Sequence, residues 1–147
     1  MGQGQSVEGA RPSVRVRVEV PRGSFLKRDG AHIEYRSPVP CPFNYGGVEG
    51  TVAPDGDPLD AIVLGPRLSL DVAVDVDVHG VVDFEDDGLP DPKLLCGANP
   101  PTRRDLVLVR AFFALYAPAR ALLNRRAGRS GRTRFHGIRS LRDGDLP

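Results

Sequence analysis

At 147 residues, with two cysteines and a formal net charge of +1, the chain fits a single domain large enough to bury a core, and its overall charge favours no particular partner. Cys41 and Cys96 stand far apart in no metal-ligand spacing, which argues against a disulfide framework and suits a reducing, cytoplasmic setting. No apolar run approaches membrane-spanning length, and the first residues lack the basic-then-apolar pattern of a secretion signal.

Residues 1–12 are polar and Gly-rich without periodicity, and are expected to form a flexible tail ahead of one domain over 13–147. "SVRVRVEV" alternates strictly, placing Val14, Val16, Val18 and Val20 on one face of a strand. "HIEYR" reads as a short strand, and "SPVPCPFNYGG", with three prolines and two glycines, as an ordered loop. "DAIVLG" has the β-branched run of a buried strand. "DVAVDVDVHGVVDF" predicts a long one with Val72, Val74, Val76 and Val78 inward and Asp71, Asp75 and Asp77 outward. "KLLCGA" follows as another short strand. From about residue 103 to 123, Leu106, Val109, Phe112, Phe113 and Tyr116 recur at helical spacing, with Pro118 a point of disturbance. The last twenty or so residues are Arg- and Gly-rich with weak pattern. Several strands followed by a helix predict an α+β domain, a small β-barrel with helical cover.

Charge is segregated along this order. Residues 55–91 hold eleven acids and one arginine, whereas residues 103–142 hold eleven arginines and one acid. Within "APDGDPLDAIVLG", Asp55, Asp57 and Asp60 crowd one turn before a strand. Like charges so placed repel unless cations lie between them, and carboxylate clusters are the usual protein site for Mg²⁺. "PDGD" is also a good turn sequence in its own right. An EF-hand does not fit, since Asp60 and Pro66 stand where glycine and glutamate belong. A second acidic loop, "DFEDDGLPDPK", sets Asp86, Asp87 and Asp91 ahead of Lys93. With Glu19, two such loops form a layout suited to metal-assisted attack of water on phosphorus. That requires the two loops to meet in the fold.

The segments "VEVPRGSFLK", "PFNYGGVEGT", "DGDPLDAIVL" and "GVVDFEDDGLPDPK", with a weaker match at "FFALY", resemble the family I soluble inorganic pyrophosphatases in order and spacing. The resemblance implies a five-stranded OB-like barrel with flanking helices and Mg²⁺-dependent hydrolysis of pyrophosphate to two phosphates, with Mn²⁺ a possible substitute. It implies Asp55, Asp60 and Asp91 as ligands of the tighter metals, and Asp86, Asp91 and Glu19 as ligands of those arriving with substrate. Asp87 stands where the family has another acid of that cluster. Asp57 matches the carboxylate that takes the proton of the nucleophilic water. Lys27, Tyr45, Lys93 and Tyr116 match the phosphate-binding groups, and Asp29 stands where glutamate is usual. A cytoplasmic homo-oligomer, a hexamer as in bacterial members, is implied as well.

Three positions depart from the pattern. Ile33 replaces an arginine, with His32 and Arg36 the nearest basic groups; Cys41 replaces an aromatic; Ala117 replaces a lysine. Arg36, Arg120, Arg125 and Arg126 are the candidates to compensate. The retained acids beside an altered phosphate pocket leave room for a related enzyme acting on an organic phosphate or diphosphate. A third reading, a non-catalytic nucleic-acid module using the Arg-rich end, has only Phe112, Phe113, Tyr116 and Phe135 as stacking groups, three of them at core spacing.

Overall fold

The computed structural model describes residues 11–29, 32–36, 40–54, 56–141 and 146–147, with side chains of 26–29 and 32–36 outside the description. Chain order runs β1 (Ser13–Val20), β2 (Leu26–Asp29), β3 (His32–Arg36), β4 (Asn44–Val48), β5 (Asp60–Val63), β6 (Ala73–Asp86), β7 (Leu89–Pro90), β8 (Lys93–Gly97), α1 (Arg103–Arg126) and β9 (Arg134–Ser140). β1 pairs β4, β4 pairs β5, β5 runs parallel to β8, β8 pairs β6, and β6 returns to β1. Those pairings close a ring, the OB-like barrel expected. β7 and β9 extend it along β6, and β2 and β3 form a separate hairpin.

Strand alternation sorts side chains into two cores. Val16, Val48, Ala61, Val63, Val76, Val78, Val81, Leu94 and Cys96 fill the interior of the ring. Phe43, Ile62, Val82, Phe84 and Leu95 face outward instead, and α1 covers them with Val109, Phe113 and Ala117. β6 serves both cores because its register shifts between Val78 and Gly80. Even-numbered Val76 and Val78 face the ring interior before that bulge, whereas Val82 and Phe84 face the helix after it.

α1 begins with a reciprocal capping box: Asp105 N donates to Thr102 Oγ1 at 3.1 Å, and Thr102 N donates to Asp105 Oδ2 at 2.8 Å. It runs unbroken through Pro118 and ends three residues beyond the expected boundary. Its outer side leaves Leu108, Leu115 and Leu122 exposed at sevenfold spacing.

The structure corrects several sequence expectations. Val72 lies in a turn before β6 and is exposed, because Asp71 N bonds to Val18 O and Asp71 adopts φ 68°, so the alternation starts later than it reads. The Pro-rich stretch expected to be loop ends in β4. Asn44 anchors it: wholly buried, it accepts from Arg22 N and Leu68 N and donates to Val63 O and Pro66 O. The patternless C-terminal region contains β9, which borrows its order from the edge of β6 through main-chain bonds that side-chain periodicity does not reveal.

Candidate active site

The site forms on the outward face of the ring, where the helix-covered core ends. Tyr45, Asp60 and Lys93 share the side carrying Phe43, Ile62 and Leu95. Register puts them together, with Asp60 opposite Lys93 and Tyr45 opposite Ile62. Lys93 is 2% exposed, and its ammonium lies 3.0 Å from Asp60 Oδ2 and 3.0 Å from Asp91 Oδ2. It also stands over the rings of Tyr45 and Phe84, at 5.7 and 5.3 Å from their centroids. A buried ammonium is tolerable only with such partners. The two acidic loops, distant in sequence, therefore meet at one cation.

Asp91 is held by its backbone, with Asp91 N donating to Phe84 O at 2.8 Å. Burial raises the Tyr45 phenol well above its ordinary pKa, helped by Asp60, which its hydroxyl bonds, and by Tyr116 and Asp91. Tyr45 thus stays a neutral hydrogen-bond donor. Tyr116 reaches the site from α1, its ring 5.7 Å from that of Phe84 and 5.6 Å from that of Phe112.

Glu19 is brought in by a bulge. Val18 faces Gly46 and Val20 faces Tyr45, so Glu19 is the extra residue on its strand. A Cβ on Gly47 would sit 3.7 Å from Glu19 Oε1 and 3.3 Å from Pro58 Cβ, which places the carboxylate beside the first acidic turn. Gly46 is required in the same bulge, since a methyl there would overlap the Arg17 carbonyl. Asp57 is exposed in that turn, and its carbonyl accepts from Ala53 N. Asp55 lies outside the described residues, as do the side chains of Lys27 and Asp29; β2 carries the backbones of both.

Asp86 and Asp87 behave differently. Asp86 Oδ2 receives Arg120 Nε at 3.3 Å, and Oδ1 receives Asn124 Nδ2 at 2.8 Å and Thr133 Oγ1 at 3.2 Å. Asp87, in the left-handed region at φ 52°, accepts from Gly131 N at 2.8 Å, while its own N–H donates to Thr133 Oγ1. Asp86 is tied to α1 and to Thr133, and Asp87 to the segment leading to β9. Asn124 and Thr133 escaped sequence reasoning. The one signal was an asparagine on the helix stripe that otherwise buries Val109, Phe113 and Ala117.

Of the departures, Cys41 and Ala117 are buried in the core beneath α1. Burial pushes both thiols up, Cys41 to about 11 and Cys96 to about 12, so neither is poised as a nucleophile. Phe112, Phe113, Tyr116 and Phe135 pack on one another and on the barrel, with centroids 5.2 to 5.8 Å apart, rather than forming an open stacking platform.

A five-stranded ring with a carboxylate, lysine and tyrosine cluster on its helix-covered face defines an OB-like α+β protein. A family model described as inorganic pyrophosphatase matches residues 16–107, and the chain belongs to that family. Inorganic pyrophosphatases of Corynebacterium efficiens and Gluconobacter oxydans are each 35% identical to it, over 98 and 92 residues, or 60% and 56% of this chain. The matched segments span 62% and 53% of those relatives' own lengths. The inorganic pyrophosphatase structure from Thermus thermophilus superposes with a TM-score of 0.72 at 25% identity, covering 90% of this chain and 84% of that one. The Neisseria gonorrhoeae structure gives 0.69 at 25%, covering 87% and 82%.

Proposed function

We propose that the protein hydrolyses inorganic pyrophosphate to two phosphates with Mg²⁺ as cofactor. The observation that carries this reading is the meeting of Asp60 and Asp91, from separate acidic loops, within 3.0 Å of one ammonium. Carboxylates already arranged around a positive charge, with only oxygen donors, fit a hard divalent ion. Among the described residues no three acids, histidines or cysteines converge; Asp55, from the same turn as Asp60, is the proposed third ligand, with Glu19 adjoining. Mg²⁺ held by Asp55, Asp60 and Asp91 would supply a water of lowered pKa, and Mn²⁺ would serve in the same oxygen set.

The chain's own groups then divide the work. Asp57, exposed beside these acids, accepts the proton of the attacking water. Lys93 and Lys27 place positive charge on phosphate oxygens, and Tyr45 and Tyr116 donate hydrogen bonds to them. Lys93 is fixed by its two carboxylates, so its charge is in place before substrate arrives. Assembly into a homo-oligomer, a hexamer in the fullest form, and a cytoplasmic location complete the proposal. The exposed Leu108, Leu115 and Leu122 stripe gives self-association an apolar surface.

A second reading has its own support. Cys41 and Ala117 are packed into the core, so no phosphate anchor stands at either position, which favours a substrate whose second half is not a bare phosphate. Phosphate release from pyrophosphate with Mg²⁺, compared across a panel of organic phosphates and diphosphates, separates the two. Turnover of pyrophosphate no faster than that of Asp57→Asn would overturn the first.

A further inference from the structure

The helix position where the family carries a lysine is Ala117, 7% exposed and facing the barrel core. The next polar side chain on the Tyr116 face is Arg120, one turn further along. It is the only one of the basic residues considered for compensation that the described side chains join to a site acid. Arg125 and Arg126 are exposed beyond it. Arg120 is 27% exposed and Asp86 21%, joined at 3.3 Å. Asp86 is in turn clamped by Asn124, itself 1% exposed, and by Thr133. The orientation of Asn124 follows from the carboxylate: its NH₂ group faces Asp86, and the flipped amide would set oxygen against oxygen.

The position relative to the site follows from packing. Tyr116 packs on Phe84, and Lys93 stands over that same Phe84 ring. Arg120 stands one turn beyond Tyr116 on α1 and is joined to Asp86, five residues before Asp91. A guanidinium has five N–H donors in a planar fork suited to phosphate, and the Asp86 bond helps fix its plane. Asp86 has donors on both oxygens, which suits it to orient a neighbour.

We propose that Arg120 supplies the phosphate contact that Ala117 does not, and that Asp86 is the positioning residue that holds it there. This rests on the phosphate-handling reading of the site above.

The test is a set of variants, Arg120→Ala, Arg120→Lys, Asp86→Asn and the Arg120→Ala/Asp86→Asn double, each assayed for pyrophosphate KM, kcat and the Mg²⁺ concentration giving half activation. Arg120→Ala is expected to raise KM by roughly 10- to 100-fold, the effect of losing a charge-assisted contact, with Mg²⁺ half-activation unchanged. Arg120→Lys restores part of the loss. Asp86→Asn raises KM less, and the double variant is no worse than Arg120→Ala, since the two act as one unit. Unchanged KM in Arg120→Ala, or a shifted Mg²⁺ half-activation with constant KM in Asp86→Asn, overturns the proposal. Calorimetric binding of inorganic phosphate with Mg²⁺ gives a readout that needs no turnover. If the parent protein binds phosphate yet does not hydrolyse pyrophosphate, only the substrate assignment falls. If Arg120→Ala binds phosphate as tightly as the parent, Arg120 falls. A thermal melt of each variant confirms that it is folded, and Arg120→Lys carries the comparison should the alanine variant unfold.

Discussion

The two acidic segments carry similar side chains and use them differently. In the first, Asp60 points across the sheet to Lys93; in the second, Asp91 meets the same ammonium from two residues upstream, while Asp86 turns toward α1 and Asp87 toward the segment before β9. The difference lies in what the neighbouring backbone offers. Asp60 and Asp91 find one buried ammonium, whereas Asp86 and Asp87 find amide, hydroxyl and guanidinium donors that satisfy them individually. Similar charge in sequence thus gathers around one ammonium in one place and is bound group by group in the other.

The sharpest way to break that contrast is Asp57→Asn. As the proposed proton acceptor on an exposed turn, it should lower kcat by roughly 10²–10⁴-fold while moving stability by no more than about 0.5 kcal/mol, checked by phosphate release and by urea unfolding. Next comes Lys93→Met, which leaves Asp60 and Asp91 facing each other without their cation. Losing one partner of an enclosed ion pair costs about 3–5 kcal/mol; with each carboxylate about a fifth exposed, about 2–3 kcal/mol is expected here. Urea unfolding without metal measures it, and added Mg²⁺ should recover more stability in the variant than in the parent. The smallest effect belongs to Asp87→Asn. Asparagine tolerates the left-handed backbone and can still accept from Gly131 N, so stability should stay within about 0.5 kcal/mol and Mg²⁺ half-activation should not move. A large shift in that half-activation would place Asp87 with the metal-binding acids.

Alkaline stability sharpens the view of the core on which both segments rest. An unfolded thiol ionises near 9.0, whereas folded Cys41 and Cys96 hold their protons to about 11 and about 12. The unfolded state gives up protons first, so stability is intact below pH 9 and declines above it, by at most about 1.4 kcal/mol per pH unit for each thiol. Urea midpoints between pH 8 and 10.5 should fall less steeply for Cys96→Ala than for the parent.

Much of this was legible in the sequence because it was local. The alternation in β1 and β6, the turn before β5 and the spacing from Asp86 to Lys93 are short-range patterns, and they led to the ring and to the Asp60, Asp91 and Lys93 cluster. What was not legible depended on distant partners or on register. Asn124 and Thr133 reach Asp86 across 38 and 47 residues, from a region whose arginines conceal any periodicity. The bulge that turns Glu19 toward the first acidic turn, and the one that divides β6 between two cores, each break the period-two rule on which a strand reading relies.

That outward placement of the site makes the sheet a partition. Ala61, Val63, Leu94 and Cys96 project to one side; Asp60, Ile62, Lys93 and Leu95 project to the other, often from adjoining positions of a single strand. Repacking the enclosed side should alter melting temperature and leave turnover largely alone, while changes one residue along should alter both. Robustness and chemistry can therefore be tuned separately in this protein, one parity of residue numbers at a time.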